Sequence, residues 1–345
     1  MKLQKKTAGF LSVFAAALWL GCMPASATTT EPAQTEDPGI VPYTCISNPE
    51  KETCIYVILK NYHGNYWKSV IEGVTDAAEE IDAAVYLGGI DNETDIDGQI
   101  ALMDQAIDAG ADGILLAPAN STSLIESCQR AKKEDIALVL IDSTINSSDY
   151  DCCYMTDNME AGSIAAKEML SMLKEAGNDP DEALEVGILL SSDTSQAMVN
   201  RVSGFLEYWA SDAPEQWDIA EDIFLNGGDV KTAQADAAKL LDTHSQLKGL
   251  FGCNNTSTIG ISSTLLAQER TDIAMVGFDL ADETRALIQD PNYPGVSLLQ
   301  KQNEMAYQGM HALESLINGN ASTQKYFDTG VILIDQDYLM ENEVS

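Results

Sequence analysis

Ile55-Tyr56-Val57-Ile58-Leu59-Lys60-Asn61-Tyr62-His63-Gly64-Asn65-Tyr66-Trp67 passes from an unbroken apolar run into a polar and aromatic loop. Val70, Val74, Ala77, Ala78 and Ile81 follow at three- and four-residue steps, which gathers them on one face of an α-helix. Five apolar residues without polar alternation read as a strand covered on both faces, as in parallel sheets. The segment is therefore a strand–helix unit with its polar groups at the junction.

The same unit recurs along the chain. Ala84–Leu87, Gly113–Ala117, Ala137–Ile141, Val186–Leu190, Gly249–Phe251, Ile273–Gly277 and Val296–Leu299 read as further buried strands, with helical periods such as Met198, Val202, Phe205 and Trp209 between them. Alternation at this spacing predicts an α/β fold of doubly wound parallel sheets. Ligands of such sheets sit beyond the carboxyl ends of the strands. Those ends carry Lys60 with Tyr66 and Trp67, Asp142-Ser143, Asn254-Asn255, Asp279 and Gln300, so polar and aromatic groups collect where a cleft is expected.

The amino terminus reads as an export signal. Lys2, Lys5 and Lys6 precede the apolar stretch from Phe10 to Leu20, which is too short to span a bilayer. Ala25-Ser26-Ala27 offers a cleavage site after residue 27, and Leu20-Gly21-Cys22 offers an alternative in which Cys22 is lipidated. Both remain open, and either places the protein in the periplasm or at the outer face of the cell membrane. Residues 28–52 are then a polar, proline-containing linker.

The formal charge of −35 over 345 residues repels phosphate backbones and anionic lipid, which excludes nucleic-acid binding. The length points to two domains. An oxidising location permits disulfides, and Cys45 and Cys54, flanking a short loop, are expected to pair for about 2–3 kcal/mol. No metal spacing joins His63, His244 and His311, and no G-x-S-x-G, H-E-x-x-H or Walker loop is present, so neither an enzyme nor a cofactor is expected. The acidic run Asp91-Asn92-Glu93-Thr94-Asp95-Ile96-Asp97 lacks the glycine and terminal glutamate of a calcium loop and reads as a solvated loop with a helix cap.

Taken in order, Asn65-Tyr66-Trp67, Ala117-Pro118, Ile141-Asp142-Ser143, Thr156-Asp157-Asn158, Arg201-Val202-Ser203-Gly204-Phe205, Phe251–Asn255, Val276–Asp279 and Asp328-Thr329-Gly330 resemble the type I periplasmic sugar-binding proteins. They are close to the ribose-binding group and to the related lac-repressor ligand core. An export signal stands where a repressor carries its helix-turn-helix. The resemblance implies two parallel-sheet lobes joined by a three-strand hinge, with crossings near Thr156–Asp157, Gln300–Lys301 and Thr329–Gly330. Lobe one then comprises 53–156 plus 301–329, and lobe two 157–300 plus 330–340.

The implied ligand is a monosaccharide. Its binding residues are Lys60, Tyr66, Trp67, Asp142, Ser143, Arg201, Asn254, Asp279 and Gln300: aromatic faces for C–H surfaces, with charged and amide groups for hydroxyls. Arg201 lies beside the Met198/Phe205 stripe, which aims its fork inward. Ser143 departs from the arginine of the ribose-binding group, and Gly228 or Asp229 falls where that group places an aromatic. The implied role is that of a monomeric binding subunit of an ABC importer. The alternative is an input protein for a chemoreceptor or sensor kinase.

Overall fold

The structure, a computed structural model, describes residues 39–322 and 324–342. The expected leader, its processing points at Cys22 and Ala27, and the linker as far as residue 38 lie outside the described residues. No helix among the described residues is long and apolar enough to cross a membrane.

The first half of the chain runs β1 (Ile40–Ser47), β2 (Cys54–Leu59), α1 (Gly64–Glu80), β3 (Ala84–Ile90), α2 (Ile96–Asp108), β4 (Gly113–Leu116), α3 (Ile125–Lys133), β5 (Ala137–Ile141) and β6 (Cys152–Met155). The second runs α4 (Asn158–Glu175), β7 (Leu184–Leu190), α5 (Gln196–Asp212), β8 (Trp217–Leu225), α6 (Val230–Thr243), β9 (Leu247–Gly252), α7 (Asn255–Ala267), β10 (Ala274–Phe278), α8 (Asp282–Gln289) and β11 (Gly295–Gln300). The chain ends with α9 (Gln302–Ile317), β12 (Tyr326–Asp328), β13 (Val331–Ile334) and α10 (Gln336–Glu341).

Two sheets result, ordered β1-β3-β2-β4-β5-β6-β12 and β13-β11-β10-β9-β7-β8. All pairings are parallel except those of β1 with β3 and of β11 with β13. The apolar run of β2 explains itself here. Ile55, Val57 and Leu59 enter the core shared with α1 and α9, whereas Tyr56 and Ile58 face the opposite layer with α2. Successive side chains of a strand point to opposite faces, and both faces are covered, so no position can be polar.

The chain changes sheet three times: between β6 and β7, between β11 and β12, and from β12 to β13. The passages lie side by side. Thr156 Oγ1 donates to Gln300 Oε1 at 3.2 Å, and the Asp157 amide donates to Asp328 Oδ1 at 2.8 Å. The Thr329 amide donates to Met155 O at 3.1 Å. Gly330 takes φ +72°, a conformation that glycine adopts without strain.

Two expectations need correction. The linker does not extend to residue 52, because Ile40–Ser47 form β1 on the edge of the first sheet, antiparallel to β3. Pro42 is compatible with this strand because it sits on an edge at a register shift, where a ladder donor is dispensable. Tyr43 anchors the strand, with its hydroxyl donating to Leu102 O at 2.9 Å. The second correction is that Cys45 and Cys54 are free thiols. Cys45 lies opposite Tyr86 on one side of β3, and Cys54 opposite Ala84 on the other. An intervening strand separates them by roughly 9–10 Å across the sheet, beyond the ~7 Å Cα limit for a disulfide.

Helix α5 is seated by a close approach to α4. A Cβ on Gly162 would lie 2.0 Å from Arg201 O, and one on Gly204 would lie 2.0 Å from Met159 O. The two glycines let the backbones touch, which brings the start of α4 against the middle of α5.

Candidate ligand-binding cleft

Between the two sheets, beyond their strand ends, lies a cleft with space for water centres of about 130 Å³. That is room for on the order of ten waters, or one small polar ligand. Eight of the nine residues expected from sequence line it: Lys60, Tyr66, Trp67 and Asp142 from the first lobe, with Arg201, Asn254, Asp279 and Gln300 from the second and its exit strand. Ser143 does not. It is fully buried beside the cleft, its Oγ 3.3 Å from Ser195 Oγ.

Asp142 and Asp279 follow β5 and β10 directly, and both take left-handed backbone conformations, φ +65° and +64°. Aspartate tolerates that region better than most residues, and such strain is retained where the fold over-determines it. Tyr66 and Trp67 occupy the first turn of α1, pack edge to face at 5.0 Å, and serve both core and cleft wall. Met198, Val230 and Ile259 add aliphatic surface from the second lobe.

The polar groups form two linked clusters. Lys60 Nζ lies 2.6 Å from Asp142 Oδ2, and Tyr66 donates to Asp142 Oδ1 at 2.6 Å. Burial alone would lower the Lys60 pKa, but Asp142 and Glu93 outweigh it, so the net shift is upward and the ammonium persists. Burial, then the charges of Asp142 and Asp279, push the Tyr66 phenol well above its usual range, so it remains a donor.

In the second lobe Arg201 is 1 % exposed, with its guanidinium 3.7 Å from the Phe278 ring centroid. Its Nε donates to Asn158 Oδ1 and its Nη2 to Gln300 Oε1, both at 2.9 Å, while Nη1 reaches Cys253 O. Burial lowers its pKa, with Asp279 the main opposing influence. Asp279 accepts from Gln302 Nε2 at 3.0 Å and from Gln300 Nε2 at 3.3 Å. Burial raises the Asp279 carboxyl to about 7, although Arg201 and the Gln300 hydrogen bonds pull the other way. Asn254 caps α7, its Oδ1 accepting from Ser257, which leaves its amide NH2 as a donor.

Three lining residues of consequence fall outside the binding set expected from sequence. Glu93 belongs to the acidic run read as solvated. Asp95 does cap α2, but Glu93 is partly buried in the cleft, where Ser191 Oγ of the other lobe donates to it at 3.2 Å. Burial raises its pKa against the pull of Lys60. Both Glu93 and Ser191 follow strand ends, β3 and β7, so the rule that located Asp142 locates them too. Asn255 is the third: its Oδ1 is a buried acceptor with no partner in the described structure. Gly228 lines the wall where an aromatic was the comparison, with Asn61 and Glu93 beside it.

Three carboxylates therefore face two cations, and each cation is already engaged. The cleft offers acceptors and donors of both signs beside aromatic and aliphatic faces, without a surplus of positive charge for an anion.

A profile described as periplasmic binding protein domain matches residues 55–321. The chain is 25% identical over 250 residues to the D-ribose/D-allose-binding protein of Pseudomonas aeruginosa, covering 70% of this chain and 75% of that one. It is 25% identical over 232 residues to a D-apiose import binding protein of Actinobacillus succinogenes, covering 67% and 71%. Among solved structures, an ABC transporter solute-binding protein from Agrobacterium vitis with bound D-fucose superposes with a TM-score of 0.77 at 24% identity, covering 84% of this chain and 98% of that one. A carbohydrate transporter solute-binding protein from Agrobacterium radiobacter in complex with D-arabinose gives 0.79 at 23%, covering 84% and 96%.

Proposed function

From the premise that the chain belongs to the periplasmic binding protein domain family, a family of solute binders and not of enzymes, we propose that it captures a monosaccharide between its lobes and delivers it to an ABC importer. The observation that carries the reading is the composition of the cleft. Each sugar hydroxyl both donates and accepts, and the cleft presents carboxylates to accept and Lys60, Asn254 and Gln300 to donate. Tyr66 and Trp67 supply a flat face for C–H surface. The unpartnered Asn255 Oδ1 is an acceptor that a ligand hydroxyl would satisfy, removing a cost of about 1–3 kcal/mol. The names of the relatives, binders of ribose, allose and apiose, support the same class.

Groups from both lobes touch one ligand, so the ligand binds the closed form better than the open form, and that difference drives closure. We assign 53–156 with 301–329 to one lobe and 157–300 with 330–340 to the other, with β1 added to the first. The protein acts as a monomer outside the cytoplasm, beginning at a lipidated Cys22 or at Thr28.

A thermal-shift screen of pentoses, hexoses and polyols, followed by calorimetry, tests the ligand class. One saturable monosaccharide is expected. Binding of an amino acid or an anion with no response to any sugar would overturn the reading. Deleting the protein should then abolish uptake of the labelled sugar; retained uptake with loss of the cellular response to it would identify a sensory input protein. Intact-mass analysis of envelope material distinguishes the two amino termini.

A further inference from the structure

Helix α5 carries Arg201, yet its first turn is not capped by its own flanking residue. Ser195 makes no side-chain cap bond. In contrast, Asp157, Asp229 and Asn254 cap α4, α6 and α7 from their own N-cap positions. The amides at the start of α5 are taken instead by the opposite lobe. The Gln196 amide donates to Ser121 Oγ at 2.8 Å, and the Ala197 amide donates to Ser143 Oγ at 3.3 Å. Ser121 belongs to the loop after β4, and Ser143 follows Asp142 at the end of β5. All three serines are buried, and the Ser121 amide donates to Thr194 O at 3.1 Å across the same contact.

We propose that Ser121 and Ser143 are positioning residues that cap α5 across the cleft, so that lobe closure completes the helix bearing Arg201 and is favoured before any ligand contributes. The proposal rests on the two-lobe closure described above, but not on the identity of the ligand. The first amides of a helix have no partner within it and must be satisfied by a side chain or by water. With the lobes apart, Gln196 and Ala197 can bond only to water or to residues of their own lobe. With the lobes together, two hydroxyl oxygens replace that water. Each such cap shifts the open–closed balance by about two- to thirtyfold, the range that N-cap substitutions produce. Ala197 is one helical turn before Arg201, so the same contact sets the height of the guanidinium in the cleft.

Ligand-free full-length protein suffices for the test. Hydrogen exchange and small-angle scattering are compared for the parent, Ser121→Ala, Ser143→Ala and the double variant. The backbone amide at position 121 is the reporter, because it bonds to Thr194 O only in the closed form and neither substitution removes it. In the parent this amide should be protected. Each single variant should speed its exchange by about two- to thirtyfold, and the double variant more, with a larger radius of gyration. Because the closed form is part of the native state, the thermal midpoint should fall by no more than a few degrees, and β7 should stay far better protected than the amide at position 121. No protection in the ligand-free parent, or equal exchange in the parent and the double variant, would overturn the proposal. So would exchange in β7 speeded as much as that of the amide at position 121, which would mean the serines only stabilise the fold. Failure of every sugar to bind would leave these measurements intact and count against the sugar reading alone.

Discussion

Asp279→Asn removes a titrating carboxyl from the centre of the cleft while keeping its shape. The folded pKa is about 7, against about 3.9 for an unfolded aspartate. Between those values the native state binds more protons than the unfolded state, so stability falls as pH rises. The contribution is fully present below about pH 4 and is lost as pH passes through 7. Three pH units at about 1.36 kcal/mol each set the loss at about 4 kcal/mol. The variant cannot titrate there. Urea unfolding of both proteins between pH 4 and 8.5 is the assay. The stability of the variant minus that of the parent should increase with pH and level off above about pH 8. Glu93, also raised by burial, adds a slope of the same sign to both proteins and cancels in the difference. A difference independent of pH would refute the argument that desolvation governs this carboxyl. At about pH 8.5, where the parent carboxyl is charged, the variant should also bind sugar about ten- to hundredfold more weakly, because a hydrogen bond to a charged acceptor is worth roughly 1.5–3 kcal/mol.

Arg201→Ala should destabilise the protein by about 3 kcal/mol or more, since it strips partners from Asn158, Gln300 and Cys253 O together, and chemical denaturation reads this without ligand. Its effect on affinity is therefore to be measured only where the variant is folded. Gly204→Ala forces a Cβ against Met159 O and should cost about 1–3 kcal/mol by separating α4 from α5, visible as a lower urea midpoint. Alkylation of unreduced, unfolded protein should label both Cys45 and Cys54; a linked peptide would contradict the strand order at β1-β3-β2.

The buried parallel strands were legible because a strand covered on both faces admits no polar position, and a run such as Ile55–Leu59 has no other economical reading. The five strands that went unread are β1, β8, β12 and β13, which form the four sheet edges, and β6, four residues long beside β12. An edge keeps one side open to solvent, so its sequence mixes polar and apolar residues, as Trp217–Leu225 does with Asp218, Glu221 and Asp222. Ligand-facing groups at strand ends were legible for a similar reason, since a polar or aromatic residue directly after a buried run must leave the core.

Only the tertiary structure assigned the remaining roles. Glu93 looks solvated within its own loop and becomes a cleft residue because Ser191 and Gly228 of the other lobe come to lie beside it. Cys45 and Cys54 are close in sequence yet separated because β3 enters the sheet between their strands. Ser143 was expected to touch ligand, and instead caps a helix of the opposite lobe. Local sequence sets the period of burial, and with it the strands, helices and strand ends. Which surfaces meet across the cleft depends on contacts between residues far apart in the chain, so the partner of Glu93 or Ser143 is specified by the packing of two lobes and by no segment of either.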